Sequence, residues 1–368
     1  MESLMGLINL DHEHHVFNEL TYFRNNASMP FGGRYRMIDF TLSNMVNTEI
    51  NEVAIFVRNK YRSLLDHIGT GKSWELDRIN GGLFILPPDW NDPTDRSKGD
   101  LRFFHNNRDY FHRSKSQYVL ISGSQFISNT DYKNAFKFHL ERNADVTLIS
   151  ADVKELQPEH YPYYRIDADE TGWVDNLTND QKNNKLFTGV YIINKDLLME
   201  LVDECIAYNK DNFFVCGIKD KLANLKIQKY DHEGYSAFVN TIESFYRQNM
   251  NLLLEENYRD LFFNKNLVRT KISNNPPVKY CKNADVKHSL LANGCVIDGA
   301  VEGSLLFRGV TVKQGATVKN SIIMQRCTIE EGVYLENVIL DKDVYVSKGQ
   351  KIIGSNEKPY VVAKSQVI

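Results

Sequence analysis

Residues 30–44 bring a glycine pair and two arginines together and read P-F-G-G-R-Y-R-M-I-D-F-T-L-S-N. Glycine lets a backbone turn tightly and approach a ligand, and a guanidinium holds phosphate or carboxylate through paired hydrogen bonds. Arg34 and Arg36 therefore predict an anion site beside this turn. An equally simple interpretation is a structural turn that leads into an ion pair with Asp39, and the sequence leaves both open.

The loop after the first apolar run carries acids in a place where a phosphate-binding loop carries glycines. Residues 5–10 predict a buried strand, and residues 11–17, which follow it, read D-H-E-H-H-V-F. Phosphate loops use glycine because converging N–H groups require positive φ angles and no Cβ in the way. This loop has no glycine, and Asp11 and Glu13 would repel a triphosphate. We therefore expect that it does not hold the phosphates of a nucleotide.

Length and composition narrow the class of protein. A chain of 368 residues predicts two domains, and 42% hydrophobic residues can fill sizeable cores. A net charge of −3 argues against binding to nucleic acids or to anionic membranes. No apolar run approaches the roughly 20 residues of a membrane span, and no basic leader precedes the first strand. The five cysteines have unrelated spacings and predict reduced thiols, so we expect a cytoplasmic protein.

Up to about residue 255, apolar runs alternate with amphipathic stretches, which is typical of α/β folds. The apolar runs lie at 53–57, 118–123, 146–149 and 189–193, and helical patterns lie at 132–143 and 195–208. This alternation predicts a mostly parallel, Rossmann-like sheet covered by helices. Ligands of such sheets bind at the carboxyl ends of the strands, where the acidic loop also falls.

The C-terminal part of the chain is a repeat with a period of 17 residues. Three sets of apolar positions share this period: Leu306, Ile323 and Leu340; Val312, Ile329 and Val346; Val318, Leu335 and Ile352. The glycines of the repeat keep the same register: Gly315, Gly332 and Gly349. Such a pattern predicts a triangular coil with one inward aliphatic side chain per side, a hexapeptide-type parallel β-helix. We place an α/β domain at 1–255, a connector at 256–280 and the β-helix at 281–368.

The motif at 30–44 resembles that of bacterial ADP-glucose pyrophosphorylases, which read P-F-G-G-x-Y-R-x-I-D-F-x-L-S-N at this place. The resemblance extends along nearly the whole chain. It implies that 1–255 is a nucleotidyltransferase domain and that the β-helix is left-handed. In these glucose-1-phosphate adenylyltransferases the first strand is followed by G-G-x-G-x-R-L, and Val16 stands where that loop has its arginine.

At four further motifs of the family, this chain has a different residue in place of the catalytic group. The replacements are Arg102 for the acid of G-T-A-D-A, Ser124 for the acid of A-G-D, Asp180 for the lysine of E-K-P, and Phe238 for the acid of W-R-D. The resemblance implies that the acids of A-G-D and W-R-D bind Mg²⁺, which neutralises charge on the reacting phosphates. Serine and phenylalanine do not replace those acids. We therefore expect no nucleotidyl transfer by this chain.

The resemblance also implies a role. In some bacteria the enzyme is a hetero-oligomer, in which a shorter paralogue lacks these motifs and raises the activity of its catalytic partner in glycogen biosynthesis. This chain resembles that regulatory subunit, so ATP and Mg²⁺ are expected only in the catalytic paralogue, and no cofactor or metal in this chain alone. By itself it is expected to form a homodimer or homotetramer. Family members bind phosphorylated effectors through arginines that align with Arg24 and Arg36.

Two other functions stay open on the sequence alone. The chain could be a sugar-phosphate nucleotidyltransferase of weak activity or altered specificity. It could also be a hexapeptide-repeat acyltransferase, whose site would use a histidine between coils. His288 is the only histidine in the repeat region of the sequence, which favours a structural role for the β-helix.

Overall fold

A mixed sheet with helices on both faces forms the N-terminal part of the computed structural model, which describes residues 3–11, 13, 17–87, 97–263 and 266–368. Its strands are β1 (Leu4–Asn9), β2 (Pro30–Phe31), β3 (Tyr35–Arg36), β4 (Glu52–Phe56), β5 (Gly82–Leu86), β6 (Tyr118–Ser122), β7 (Phe126–Ser128), β8 (Val146–Asp152), β9 (Arg165–Ala168), β10 (Val174–Thr178), β11 (Lys185–Asn194), β12 (Ile227–Asp231) and β13 (Ser236–Phe238). Its helices are α1 (Met37–Asn47), α2 (Arg62–Ile68), α3 (Leu101–Asn106), α4 (Arg108–Arg113), α5 (Lys133–Glu141), α6 (Lys195–Ala207), α7 (Ile242–Met250) and α8 (Glu255–Phe262). Across the described residues, every helix is too short or too polar to span a membrane.

The main sheet has the strand order β10-β9-β11-β6-β1-β4-β5, and β8 pairs with both β11 and β12. At its centre β1 runs parallel to its two neighbours, with Gly6 opposite Val53 of β4 and Leu120 of β6. Side chains of β1 alternate between two hydrophobic cores, since Leu7 lies in one cluster and Ile8 in the other. A strand that is buried on both faces needs a continuous apolar sequence, and β1 has one.

The sheet is mixed where the sequence predicts a mostly parallel one, because β11 runs antiparallel to β6, β8 and β9. The connection before β11 explains the difference. Parallel neighbours need a long crossover, usually through a helix. Between β8 and β11 the structure has the 3₁₀ turn Pro158–His160 and the antiparallel pair β9–β10 instead. The segment between β8 and β11, which the structure describes throughout, therefore contains no crossover helix of the kind that parallel neighbours need.

Three parallel sheets form the C-terminal part. Their strands are β14 (Lys279–Tyr280), β15 (Asp285–Lys287), β16 (Leu290–Leu291), β17 (Val296–Ile297), β18 (Ala300–Glu302), β19 (Leu305–Leu306), β20 (Thr311–Val312), β21 (Thr317–Lys319), β22 (Ile322–Ile323), β23 (Thr328–Ile329), β24 (Tyr334–Glu336), β25 (Val338–Leu340), β26 (Tyr345–Val346), β27 (Lys351–Ile353) and β28 (Tyr360–Val362). The sheet orders are β14-β17-β20-β23-β26, β15-β18-β21-β24-β27 and β16-β19-β22-β25-β28. Successive coils therefore stack strand on strand, as in a parallel β-helix.

The aliphatic side chains of the 17-residue repeat fill the inside of the coils. Six of them are 0% exposed: Leu306, Val312, Val318, Ile323, Ile329 and Leu335. The repeat also sets the pairing, because Val318 lies opposite Leu335 in the next coil. Gly315 and Gly332 stand at coil corners with φ angles of +71° and +68°, a conformation that side chains other than glycine rarely adopt. The predicted fold class, an α/β domain followed by a parallel β-helix, is confirmed.

The two parts share one hydrophobic junction. Phe307, Ile322, Met324 and Ile339 of the β-helix lie in the same buried cluster as Phe31, Phe40, Phe245 and Tyr246 of the α/β part. Tyr246 Oη also donates to the backbone oxygen of Asn320 at 2.5 Å. Helix α8 ends at Phe262 and the first coil strand begins at Lys279. The domain limits at 1–255, 256–280 and 281–368 stay a prediction.

Replacing Ile323 by alanine tests how much the coil interior stabilises the β-helix. The side chain is fully buried, so we expect the free energy of unfolding to fall by about 2–5 kcal/mol. Thr317→Ala, at a half-buried position of a neighbouring strand, is the control and should cost about 0.5 kcal/mol or less. Chemical denaturation followed by circular dichroism measures both. Equal losses in the two variants would contradict the inward placement of Ile323.

Candidate functional site

A cavity of about 300 Å³ opens at the carboxyl ends of β1 and β6. Asn9, at the end of β1, and Ser122 and Gly123, at the end of β6, form its floor. Much of the remaining wall is aromatic and includes Phe126, Tyr163, Tyr164, Phe187, Tyr191 and Phe214. This is the edge of the sheet at which α/β proteins bind their ligands, and the acidic loop predicted from the sequence borders it through Glu13.

Glu13 closes one end of the cavity against Ser124. The backbone N–H of Ser124 donates to Glu13 Oε1 at 2.6 Å, and the Ser124 hydroxyl donates to the same oxygen. Burial raises the pKa of the Glu13 carboxyl to about 7, although both hydrogen bonds from Ser124 act in the opposite direction. The loop thus places a carboxyl group at the end of β6. A phosphate-binding loop would place backbone N–H donors there.

The second acid of the loop is held by an arginine. Arg58 Nε lies 2.7 Å from Asp11 Oδ1, and Arg58 Nη2 lies 2.8 Å from Asp11 Oδ2. Arg58 Nη2 also donates to the backbone oxygen of Gly99 at 3.2 Å. This bidentate pair fixes the start of the loop to the segments after β4 and before α3. A guanidinium engaged in this way serves the loop and not a bound phosphate.

Phe238 lies in an aromatic cluster. Its side chain is 1% exposed, and its ring centroid lies 4.6 Å from that of Tyr163 and 5.3 Å from that of Phe126. Strand β13 pairs with β7 and places Phe238 directly opposite Phe126. Phe238, which the sequence analysis assigns to the position of a metal-binding acid, is therefore part of the hydrophobic packing that surrounds the cavity.

The residues present do not fit a catalytic Mg²⁺. Mg²⁺ requires oxygen ligands in near-octahedral geometry, usually including one or two carboxylates. At the two positions that the sequence analysis assigns to metal-binding acids, this chain has the hydroxyl of Ser124, which is bonded to Glu13, and the ring of Phe238. Within the described ranges, His, Cys, Asp and Glu side chains form no group of three or more that could hold a metal ion.

Two other positions predicted from the sequence, Arg102 and Asp180, do not come together at the cavity. Arg102 is half-buried on α3, and Asp180 is exposed in the segment between β10 and β11, where its Oδ1 accepts from the N–H of Lys182 at 3.0 Å. Among the described residues, neither belongs to the cavity wall. Val16 lies outside the described residues.

Asp100 borders the cavity, and the sequence analysis did not single it out. Its side chain is 1% exposed, and it accepts hydrogen bonds from the N–H of Phe213 at 2.9 Å and from Asn9 Nδ2 at 3.1 Å. It ties the ends of β1 and α3 to the segment at 212–218. A signal was present, since Asp100 directly precedes an apolar helical run, but only the fold shows that it faces the end of β1.

A second polar site lies at the junction with the β-helix. Arg24 is 4% exposed and forms an ion pair with Asp341, which is 1% exposed. Arg36 Nη1 donates to the backbone oxygen of Ser63 at 2.6 Å and to its hydroxyl at 3.0 Å. Lys342 follows Asp341 and is 9% exposed. We call Arg24, Arg36 and Lys342 the junction cations.

The junction cations repel one another. Burial and the charges of Arg36 and Arg24 together lower the pKa of Lys342 to about 6. Asp341 opposes this shift but has a smaller effect than either arginine. Burial also lowers the pKa of Arg36 to about 10; Asp39 opposes this shift and Arg24 adds to it. The three basic side chains thus lie beside the carboxylates of Asp341 and Asp39. An anion placed here would favour the protonated form of Lys342.

The motif at 30–44 supplies the turn and the helix start at this site. Gly32 and Gly33 have φ angles of +59° and +83°, so the turn requires glycine. Asp39 Oδ2 accepts from the backbone N–H of Arg36 at 3.0 Å, and Asp39 Oδ1 lies 2.5 Å from His67 Nε2. Burial lowers the pKa of His67, although Asp39 opposes this. Asp39 therefore stabilises the start of α1 and holds His67.

The sequence analysis missed Asp341 and Lys342, although the repeat carries a signal for the first. Counting back by 17 residues from Asp341 leads to Met324 and Phe307, both of which are 0% exposed. A charged residue at an apolar position of a repeat indicates a buried partner, and here this partner is Arg24.

Comparison with known proteins agrees with this architecture. A family model described as nucleotidyl transferase matches residues 17–253, and one described as GlmU-like, C-terminal hexapeptide matches residues 276–362. The glycogen biosynthesis protein GlgD of Bacillus subtilis (strain 168) is 36% identical over 367 residues, which are 99% of this chain and 96% of that protein. The glycogen biosynthesis protein GlgD of Geobacillus stearothermophilus is also 36% identical, over 99% of this chain and 97% of that protein.

The comparison extends to enzymes. A glucose-1-phosphate adenylyltransferase of Clostridium perfringens (strain 13 / Type A) is 33% identical over 346 residues, which are 93% of this chain and 88% of the enzyme. The similarity to the GlgD proteins and to the adenylyltransferase covers both the α/β part and the β-helix of this chain. The chain therefore belongs to the nucleotidyltransferase family, in the group that contains the ADP-glucose pyrophosphorylases and the GlgD proteins.

Proposed function

We propose that this chain is the regulatory, catalytically inactive subunit of a hetero-oligomeric glucose-1-phosphate adenylyltransferase in glycogen biosynthesis. One observation carries the proposal: Ser124 is bonded to Glu13 and Phe238 is packed among aromatic rings, and the sequence analysis assigns both positions to metal-binding acids. Nucleotidyl transfer depends on metal and cationic groups that stabilise charge on the phosphates. The similarity to proteins named for glycogen biosynthesis supplies the process.

The partner in this proposal is a catalytic adenylyltransferase paralogue. ATP, glucose-1-phosphate and Mg²⁺ bind to that partner, and this chain contributes its surface and the junction between its two parts. Without the partner it forms a homodimer or homotetramer. Both subunits act in the cytoplasm, and neither nucleic acid nor membrane takes part.

The junction cations are the proposed effector site. Arg36 and Lys342 lie close enough to the ion pair of Arg24 with Asp341 for their charges to act on one another, and this ion pair joins the α/β part to the β-helix. An anion that binds here offsets the mutual repulsion that lowers the pKa of Lys342. Because both parts of the chain line the site, an anion can favour one arrangement of the subunits over another, provided that it binds this arrangement more tightly.

Two alternatives have weaker support. A nucleotidyltransferase of altered specificity would have to act with Glu13 and Phe238 at the positions described above. An acyltransferase would use His288, which is exposed, has a φ angle of +44° and lies in the first coil, where no neighbouring coil precedes it. We therefore favour the regulatory subunit.

The purified chain is expected to release no pyrophosphate above background from ATP and glucose-1-phosphate with Mg²⁺. The reason is the absence of carboxylates at Ser124 and Phe238. A coupled pyrophosphate assay measures this, first with the chain alone and then with the catalytic paralogue coexpressed. The mixed oligomer should show higher kcat/KM than the paralogue alone. Turnover by the chain alone on the order of 1–10³ s⁻¹ would overturn the proposal.

Replacing Arg36 or Lys342 by alanine should weaken the response of the mixed oligomer to a phosphorylated effector by about tenfold or more, since each loses a charge-assisted hydrogen bond of about 1.5–3 kcal/mol. Arg113→Ala is the matched control, because Arg113 is an exposed arginine of α4 whose Nη2 lies 3.3 Å from Asp109 Oδ2. Arg24 is unsuitable as a first test, since its loss leaves Asp341 buried without its partner. Unchanged effector dependence in both cluster variants would show that the junction is purely structural.

Anion binding at the junction should weaken as the pH rises from 6 to 8. Lys342 has a lowered pKa of about 6 without a ligand, so it is mostly neutral at pH 7. A bound anion favours the protonated amine, and binding therefore takes up a proton. Sulfate is a suitable probe because its charge does not change in this range. Titration calorimetry in buffers of different ionisation enthalpy measures the uptake, and Lys342→Met should abolish both the uptake and the pH dependence.

A further inference from the structure

We propose that Cys205 and Cys216 form a redox-active dithiol, which a small-molecule disulfide oxidises to a disulfide within the chain. Three features of the molecule support this modification site: the two thiols share one hydrophobic cluster, an unusual helical turn carries Cys216, and the two side chains differ in exposure. The site goes beyond the regulatory role and does not depend on it, because the isolated chain carries both residues. Disulfides of reducing compartments are mostly transient or redox-sensing.

The two thiols lie in one hydrophobic cluster of the α/β part. Cys205, in the last turn of α6, is 3% exposed and belongs to the buried core of this cluster. Cys216 packs against the same cluster from the segment at 212–218. Burial raises the pKa of the Cys205 thiol to about 11, and the nearby Cys216 adds to this shift. The two free thiols are therefore close enough to act on each other.

The turn that carries Cys216 brings its backbone to the sulfur of Cys205. Residues Phe214–Ile218 form a π-helical turn, a rare conformation that is frequent at functional sites. A Cβ built on Gly217 would lie 3.5 Å from Cys205 Sγ. A disulfide needs its two Cβ atoms about 3.5–4.5 Å apart. A displacement of this turn by one residue would bring Cys216 to the place beside Cys205 that Gly217 occupies.

The difference in exposure sets the order of the reaction. Cys216 is half-buried and can meet a small reagent, whereas Cys205 is shielded. The Cys216 thiolate attacks one sulfur of the reagent, whose S–S bond breaks, and one reagent thiol leaves. Cys205 then attacks the Cys216 sulfur of this mixed disulfide and releases the second thiol. Two protein thiols are oxidised, one disulfide is reduced, and the two protons pass to the released thiols.

The other three cysteines have different surroundings. Cys295 and Cys327 are 0% exposed inside the β-helix, and their thiols donate to backbone oxygens at 3.1 Å and 3.0 Å. A reagent that acts on the folded chain does not reach them. Cys281 is half-buried at the start of the β-helix and can form a mixed disulfide of its own. It therefore has to be controlled in the test.

The segment that carries Cys216 also forms part of the cavity wall. Asn212, Phe214 and Val215 line the cavity, and the N–H of Phe213 donates to Asp100 Oδ1 at 2.9 Å. A turn that is displaced by the disulfide therefore changes this wall.

The experiment incubates the reduced full-length chain with glutathione disulfide and maps its peptides by mass spectrometry without reduction. Trypsin cleaves after Lys210, between the two cysteines, so the disulfide joins two peptides. We expect this peptide pair, with the loss of two hydrogen atoms. A folded chain that keeps both thiols, or that holds a stable mixed disulfide at Cys216, would overturn the proposal. Pyrophosphate release and activation of a catalytic partner are measured separately, so failure here is distinguishable from failure of the regulatory role.

Variants separate the disulfide from simple modification. Cys281→Ser is the matched control, because it removes another half-buried cysteine, and it should leave the yield of the peptide pair unchanged. In this background the reaction should release two glutathione thiols per chain. Addition of Cys205→Ser should reduce this number to one and leave a mixed disulfide at Cys216. Cys205→Ala is the second variant in case the first does not fold, as judged by its melting temperature. Release of two thiols by a folded Cys205 variant would refute the pairing.

Discussion

The junction between the α/β part and the β-helix is the constraint on which the rest of the structure depends. Its centre is apolar, but the ion pair of Arg24 with Asp341 is buried beside it. Removing two charges from water costs several kcal/mol for each ion, and their attraction offsets this cost only while they stay together. The pair therefore adds little net stability. The ion pair fixes the position of the β-helix against the α/β part, because a shift of the β-helix would leave two buried charges unpaired.

Phe238 shows how a position that is predicted to align with a metal-binding acid can contribute to packing instead. A carboxylate at position 238 would be a buried charge without a metal to pair with it, which is strongly unfavourable. The phenylalanine there is 1% exposed, and burial of such a side chain stabilises a fold by about 1.5–3 kcal/mol. Active-site groups commonly reduce stability for the sake of function. At position 238 of this chain, by contrast, the side chain adds to the stability of the fold through packing.

The sequence predicted those parts of the fold that depend on local repetition. Each inward side chain of the β-helix repeats after 17 residues, so Ile323 and Leu335 could be placed without knowledge of any distant contact. The direction of β11 could not be predicted, because an apolar strand has the same sequence pattern in either orientation. The hydrogen bonds between Glu13 and Ser124 join residues that are 111 positions apart. Pairings of this kind follow from the fold alone.

The two polar sites share helix α1, which relates the site at the junction to the cavity in physical terms. Arg36 directly precedes the helix, and Asp39 in its first turn contacts His67. Five residues after Arg36, Thr41 Oγ1 donates to the backbone oxygen of Gly123 at 3.0 Å, at the floor of the cavity.

At 1.5 Å per residue, the five positions from Arg36 to Thr41 span about 7.5 Å along the helix axis. Residues 37–45 are buried throughout, so α1 cannot bend or rotate without disturbing its packing. Any displacement of α1 would therefore move the Thr41–Gly123 contact and the start of the helix together. One rigid element thus contacts both the junction and the cavity.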